Sequence, residues 1–265
     1  MKTPITFTAS DTSILQGCTY QPSRPTQGTV LFMVGWSGHY KDYDSILAPL
    51  SESYNVFAFN TRDHGESQGR FTKENCTRDV IELCIHYRNK KTALMGHSIS
   101  SIFMIEAASI ARSVILMNPY LGKETLNPVL GTTLSLLSSQ NKATAVTDTL
   151  LGKIVPTVGK LHVRHPLSTA GTIYTIATEQ RIAQPILTFI ANKDMTYGTN
   201  NQKRYARIVE RCKELSLVVE DASELVQGLN HCFNYRGLSP FMKPEKGKNT
   251  TQIIERMYDF LGRTL

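Results

Sequence analysis

The sequence has no uninterrupted apolar run of about 18 residues, the length that a membrane-spanning helix requires. We therefore expect no membrane span. Residues 1–6 include no long apolar segment, so no secretory signal peptide is predicted there. The five cysteines are odd in number and have no metal-binding spacing, which fits a reducing compartment. These features predict a cytoplasmic protein without a bound metal.

Blocks of lysine and arginine are also missing, although the formal net charge is +7 at pH 7. Nucleic-acid binding is therefore not predicted. A mildly basic surface is the simpler interpretation of the charge, and attraction to an acidic partner such as acyl carrier protein or coenzyme A is the alternative. Apolar residues make up 41% of 265 residues, enough for the core of one large domain or of a core with an insertion.

Short apolar runs alternate with helical patterns along most of the chain. The runs that predict strands are residues 5–9, 13–20, 29–35, 54–59, 92–95, 113–117, 185–190 and 215–219. Strands that alternate with helices favour an α/β fold with a mostly parallel, doubly wound sheet. The first two runs predict an opening hairpin.

The alternation stops between residues 120 and 184, where helical pieces occur without a clear buried strand. We interpret residues 120–184 as a helical lid inserted over the carboxyl ends of the strands, where ligands bind in such sheets. The predicted core then consists of residues 1–119 and 185–265. Leucines in the insertion, such as Leu126 and Leu130, suit a medium or long acyl chain.

A tight turn with the sequence Gly-His-Ser-Ile-Ser lies at residues 96–100, between a predicted strand and a predicted helix. Such a turn lifts a serine hydroxyl clear of the backbone and directs the first helical N–H groups towards the space above it. We therefore predict that Ser98 is a nucleophile and that the backbone N–H of Ile99 holds an oxyanion. The loop after strand 29–35 should supply a second N–H, from Trp36.

A serine hydroxyl needs a base, normally a histidine that a carboxylate orients. Asp194 follows the strand at 185–190, and His231 follows the last predicted strand. The chain order Ser98, Asp194, His231 is the order of serine hydrolases with this kind of turn. These three residues are the predicted catalytic triad, and no organic cofactor or metal is needed.

Other residues are weaker candidates for the same roles. His97 is next to the serine, but its side chain should point away from the hydroxyl at the turn. Asp221 is the second choice for the acid because it follows the last strand rather than the one before it. His162 and His165 lie in the insertion and are predicted to face solvent, with a place in the acyl pocket as the alternative. Cys232 has a poorer nucleophile setting than the serine.

Two further segments resemble known motifs. Residues 34–39, Val-Gly-Trp-Ser-Gly-His, resemble the His-Gly-x-x-x loop of the monoacylglycerol-lipase-like and serine-aminopeptidase-like α/β-hydrolases. Residues 59–69 resemble the Asp-x-Arg-Gly-His-Gly-x-Ser-x-Gly turn of the same proteins. The resemblance covers nearly the whole chain outside residues 120–184, and it implies an α/β-hydrolase fold and a serine esterase or lipase activity.

The sequence departs from these motifs at four positions. Ser100 replaces the last glycine of Gly-x-Ser-x-Gly, Val34 the usual histidine, Asn60 the usual aspartate and Asp63 the usual glycine. Ser100 and residues 189–194 also resemble, more loosely, the acyl-transferase thioesterases of bacterial luminescence, which act on acyl carrier protein.

The predicted activity is hydrolysis of carboxylic esters of medium or long acyl chains. One alternative is an acyl-carrier-protein or acyl-coenzyme A thioesterase, or an acyltransferase, and then acyl carrier protein would be a partner. Another is a ligand-binding protein of this fold without turnover. A dehalogenase is disfavoured because the turn carries Ser98 and not aspartate.

Overall fold

The computed structural model describes residues 2–22, 25–36, 38–87, 91–122, 163–191, 201–227 and 250–265. The strands are β1 (Lys2–Thr8), β2 (Ile14–Tyr20), β3 (Gly28–Met33), β4 (Tyr54–Phe59), β5 (Thr92–His97), β6 (Ser113–Met117), β7 (Ile186–Phe189) and β8 (Val219–Asp221). The α-helices are α1 (Asp44–Leu50), α2 (Lys73–Tyr87), α3 (Ser100–Glu106), α4 (Pro166–Thr175), α5 (Asn201–Leu215) and α6 (Thr250–Thr264). Short 3₁₀ helices occur at Tyr40–Tyr43, Ala108–Ile110 and Ser223–Val226.

The eight strands form one open sheet in the order β1-β2-β4-β3-β5-β6-β7-β8. All neighbours from β4 to β8 are parallel, whereas β1 and β2 form an antiparallel hairpin that joins the sheet at β4. This architecture confirms the predicted mostly parallel, doubly wound sheet and its opening hairpin. Within the described ranges, no helix combines the length and the apolar character that a transmembrane segment needs.

Helices cover both faces of the sheet, so its central strands are apolar on both sides. Leu31 and Met33 belong to a core cluster with residues of α2, α3, α4 and α5. Val30 and Phe32 belong to a second cluster with residues of α1 and α6. Every residue of β3, β5 and β6 is buried, which explains why these strands read as continuous apolar runs.

The register of the parallel strands places the ends of β3, β5 and β6 at one edge of the sheet. Met33 lies beside Gly96, and His97 lies beside Met117. The residues that follow these strands are therefore close neighbours, although they are distant in sequence. The predicted nucleophile and the predicted oxyanion loop meet at this edge.

The prediction of a strand at residues 215–219 is wrong at its start. Leu215 is the last residue of α5 and is buried against the core, while Leu217 is 99% exposed. The parallel ladder begins only at Val219, which lies opposite Ile186. The apolar run was ambiguous because its first residue completes the apolar side of a helix and its last residue begins a strand.

A buried ion pair holds the turn of residues 60–69 against α2. Arg62 is 1% exposed and donates from Nε and Nη2 to both carboxylate oxygens of Asp79, at 2.7 Å each. Nη1 of Arg62 also donates to Asp11 at 2.6 Å. Burial raises the pKa of Asp79, and the guanidinium opposes that shift. The turn is therefore anchored to the core by a charge that the buried Asp79 and the partly exposed Asp11 balance together.

We expect Asp79→Ala to lower the free energy of unfolding by up to about 3–5 kcal/mol, because it removes the fully buried carboxylate that pairs with Arg62 and leaves only the partly exposed Asp11. Asp259→Ala is the matched control, since Asp259 pairs with Arg256 and Arg263 at the surface, and it should cost at most about 1 kcal/mol. Urea unfolding of both variants measures the difference. Similar losses in the two variants would show that the Arg62 pair does not hold the turn.

Candidate active site

Ser98 occupies a strained turn between β5 and α3. Its φ is +54°, in the left-handed region that side chains other than glycine rarely adopt. The backbone holds this conformation through three hydrogen bonds: Ser98 N–H donates to Met117 O at 2.9 Å, and Ser98 O accepts from Ser101 N at 3.0 Å and Tyr120 N at 3.1 Å. The side chain is partly exposed among buried neighbours. This is the geometry of a serine that is held out at the edge of a sheet.

Two glycines allow the backbone to approach this turn closely. A Cβ at Gly96 would lie 2.8 Å from Met104 Cγ and 3.0 Å from the carbonyl of Ser100. A Cβ at Gly35 would lie 2.8 Å from Ser98 Cβ and 2.7 Å from His97 Nδ1. The loop of residues 34–36 therefore passes directly against the serine turn.

Ser100 stands where the usual motif has glycine, and it is fully buried. Its hydroxyl donates a hydrogen bond to the carbonyl of Val34, the first residue after β3. The substitution is therefore accommodated, and it adds a link between α3 and loop 34–36 that glycine cannot make.

The two predicted oxyanion donors, Ile99 and Trp36, belong to segments that adjoin the serine. Ile99 follows Ser98 directly, has helical backbone angles and is 1% exposed. Trp36 follows Gly35, which contacts the serine turn, and its partly buried side chain packs on the core cluster of α2 and α3. The two oxyanion roles stay predictions.

Helix α4 lies over this edge of the sheet. The Trp36 indole donates from Nε1 to the hydroxyl of Thr169 at 3.0 Å. The Tyr120 hydroxyl, three residues after β6, donates to the carbonyl of Ile173 at 2.8 Å. These two contacts attach α4, which belongs to the predicted insertion, to the loops after β3 and β6.

The start of α4 is also attached to the turn of residues 60–69. Asp63 has φ +64° and its carboxylate accepts from His165 Nδ1 at 2.6 Å and from His165 N at 3.0 Å. Arg164 N–H donates to Asp63 O at 2.9 Å, and Val163 forms an antiparallel bridge with His64. Burial raises the pKa of the Asp63 carboxyl, and the contact with His165 opposes that shift. Asp63, which replaces a glycine of the motif, thus anchors the predicted lid.

A cleft of about 480 Å³ opens between this turn and α4. It is lined by Asp63, Gly69, Arg70, Phe71, Arg164, His165, Ser168, Thr169 and Thr172. Most of these residues carry polar or charged groups, and Thr169 connects the lining to Trp36.

Asp194 and His231 lie outside the described residues, as do His162 and Cys232. The segment that leads to Asp194 is described as far as Ala191. Ala191 N–H donates to the side-chain oxygen of Asn118 at 2.6 Å, which ties the end of β7 to the end of β6.

The two rival residues have other partners. His97 is 2% exposed, and its Nδ1 lies 2.8 Å from the Tyr43 hydroxyl, on the face of the sheet that α1 covers. The Asp221 carboxylate accepts from the Tyr205 hydroxyl and from the N–H and hydroxyl of Ser223. Burial and the contact with Asp221 raise the pKa of Tyr205 to about 12. Asp221 is the last residue of β8, and its carboxylate accepts from Ser223, the first residue of the 3₁₀ helix that follows.

The sequence did not indicate the contacts of Thr169 and His165. The available signal was Asp63 in place of the glycine of the motif. Aspartate tolerates a turn with positive φ, and its carboxylate can accept hydrogen bonds that glycine cannot. Among the described residues, no group of three or more His, Cys, Asp and Glu side chains is arranged to hold a metal ion.

No protein-family model matches the chain, and no curated protein matches its sequence. Its structure resembles the α/β hydrolase GrgF from Penicillium sp. sh18, with 14% identity, a TM-score of 0.71, and coverage of 100% of this chain and 99% of that one. The epoxide hydrolase VrEH1 from Vigna radiata gives 12% identity, a TM-score of 0.69, and coverage of 99% and 98%. A thermophilic esterase from Thermogutta terrifontis gives 14% identity, a TM-score of 0.64, and coverage of 100% and 99%. The chain has the α/β-hydrolase fold.

Proposed function

We propose that the protein is a serine hydrolase that cleaves carboxylic esters through an acyl-enzyme. The observation that carries this proposal is the turn at Ser98, where a partly exposed serine at φ +54° directly follows the central strand β5. Strain of this kind costs on the order of 1–3 kcal/mol and persists where the surrounding structure enforces it, commonly at functional sites. The close passage of loop 34–36 supports a second donor beside the serine.

Asp194 is the proposed acid because the chain can bring it near the serine. Strand β7 lies two strands from β5, a separation of about 10 Å. Asp194 follows Ala191 by three residues, which span at most about 10 Å when extended. The hydrogen bond to Asn118 holds Ala191 at the edge of the sheet where Ser98 lies. The separation of about 10 Å between β5 and β7 leaves room for a histidine between Asp194 and Ser98. His231, which follows the β8 segment, is the proposed base.

The proposed reaction has two steps. His231, oriented by Asp194, takes the proton of Ser98 while the serine oxygen attacks the ester carbonyl, and the N–H groups of Trp36 and Ile99 stabilise the oxyanion. His231 then gives the proton to the departing alcohol as the carbonyl–oxygen bond breaks. In the second step His231 activates a water molecule, which attacks the acyl-enzyme and releases the acid and the free serine.

Residues 120–184 are proposed to act as the lid over this site. The contacts of α4 with Trp36 and Tyr120 support that role for the part of the segment that the structure describes. The leucines that suggested a medium or long acyl chain, among them Leu126 and Leu130, lie outside the described residues.

The nucleophile also separates ester hydrolysis from epoxide hydrolysis, the activity named for VrEH1. A serine oxygen that opened an epoxide would form an ether, which an activated water does not cleave. Attack on an ester or thioester forms an acyl-enzyme that water can release. A thioesterase or acyltransferase therefore stays the second candidate, and paired esters and thioesters of one acyl chain separate the two.

Labelling with a fluorophosphonate tests the proposal directly. The serine oxygen should displace fluoride at phosphorus, and peptide mass spectrometry should find the adduct on the peptide that contains Ser98. Prior incubation with a p-nitrophenyl ester should slow labelling, since both compounds compete for one hydroxyl. A folded protein that neither takes the label nor turns over esters or thioesters would instead be a binding protein of this fold.

A further inference from the structure

We propose that Ser100 and Thr169 are positioning residues that hold loop 34–36 in the geometry required to stabilise the oxyanion. The proposal rests on the proposed function, because it assigns a role in the same reaction. Neither residue touches the reacting atoms in this scheme. Each acts through the loop that carries the N–H of Trp36.

Side-chain hydrogen bonds hold loop 34–36 at its two ends, whereas its middle residue is a glycine. Val34, at the first end, accepts a hydrogen bond from the buried Ser100 hydroxyl. Trp36, at the other end, donates from its indole to Thr169 at 3.0 Å. Gly35, between them, must lack a side chain because Ser98 and His97 lie against it. The two hydroxyls therefore hold the loop on both sides of its contact with the nucleophile.

The Thr169 hydroxyl has a defined direction. It lies 2.9 Å from the carbonyl of His165 and 3.2 Å from that of Pro166, so its single proton is used within the first turn of α4. Its lone pairs are then available to the indole N–H of Trp36. The first turn of α4 is in turn fixed by the contacts of His165 with Asp63. The position of Trp36 is thus set through α4 by the turn of residues 60–69.

Small displacements of this loop matter for the reaction. An oxyanion donor must lie about 2.7–3.1 Å from the developing charge, and removal of one donor costs about 10²–10³ in kcat. A loop that keeps its N–H but loses its exact placement should lose part of that factor. Because the oxyanion forms only in the transition state, the loss should fall on kcat and leave KM nearly unchanged.

The first test is Thr169→Val, which keeps the shape and removes the hydroxyl. We expect kcat for a p-nitrophenyl ester to fall about tenfold or more with KM within about twofold, and Thr169→Ser to restore most of the activity. Thr175→Val is the matched control. Thr175 lies on the same helix, and its hydroxyl donates to the carbonyl of Thr172 without contacting Trp36. Ser100→Ala should reproduce the effect from the other end of the loop.

A second measurement separates positioning from loss of structure. A trifluoromethyl ketone forms a tetrahedral adduct whose oxygen carries the oxyanion charge, so its affinity should fall by the same factor as kcat/KM in Thr169→Val. The affinity for the product acid and the unfolding temperature should change little. A Thr169→Val protein that is folded and fully active, or in which KM alone rises, would overturn the positioning role. If the fluorophosphonate did not label Ser98 in the wild type, the proposed function itself would be overturned.

Discussion

Ser98→Ala is expected to lower kcat for ester hydrolysis by about 10⁴-fold or more, because it removes the oxygen that is proposed to attack the ester carbonyl. Steady-state assays with a p-nitrophenyl ester measure the loss, and the fluorophosphonate label should disappear from the peptide in parallel. The expected effect is large because a triad acts as a unit, so that its parts cannot replace one another. Turnover at the wild-type rate in Ser98→Ala would exclude Ser98 as the nucleophile.

The backbone at Ser98 provides a control that is independent of activity. Alanine keeps the Cβ that is strained at φ +54°, so Ser98→Ala should unfold at nearly the wild-type temperature. Ser98→Gly removes that strain and should raise the free energy of unfolding by about 1 kcal/mol, while it is as inactive as Ser98→Ala. We therefore expect Ser98→Gly to be more stable than the wild type and inactive.

Asp194→Asn is expected to lower kcat by up to about 10⁴-fold, the loss seen when the carboxylate that orients a catalytic histidine becomes an amide. The amide can stabilise the wrong imidazole tautomer and does not balance the charge of the imidazolium. Steady-state assays with a p-nitrophenyl ester measure the loss.

Asp221→Asn is the matched control for this change. The Asp221 carboxylate is already engaged by Tyr205 and Ser223, so its replacement should alter stability and leave kcat within a few-fold of the wild type. If Asp221→Asn proved the more damaging change for kcat, the acid would lie at the end of β8 rather than after β7. Thermal unfolding of both variants separates loss of structure from loss of catalysis.

Strand β6 was predictable because burial on both faces makes its sequence mostly apolar, and it occupies the predicted residues 113–117. Strand β4 also occupies the predicted residues, 54–59. The prediction for residues 215–219 was wrong at its start because one apolar run serves two elements, and Leu215 packs as part of a helix. Burial decides between helix and strand there, and burial depends on contacts with distant residues.

The candidate site also has features that the sequence indicates and features that only the packing shows. The place of the Ser98 turn follows from a local pattern, a small-residue turn between an apolar strand and an apolar helix, while its role as a nucleophile stays a prediction. From the sequence alone, Ser100 is only a departure from the glycine of the motif. Only the packing of α3 against the end of β3 shows that its hydroxyl meets the carbonyl of Val34.

By itself the sequence determined the order of strands and helices, the place of the serine turn and the class of fold, because apolar periodicity and turn chemistry are local properties of the chain. The tertiary structure alone decided that α4 joins Trp36 through Thr169 and the turn of residues 60–69 through His165. These contacts link residues about a hundred or more positions apart, and no local pattern records them. They form because parallel strands bring their ends to one edge of the sheet, where side chains from separate segments must satisfy one another's hydrogen bonds.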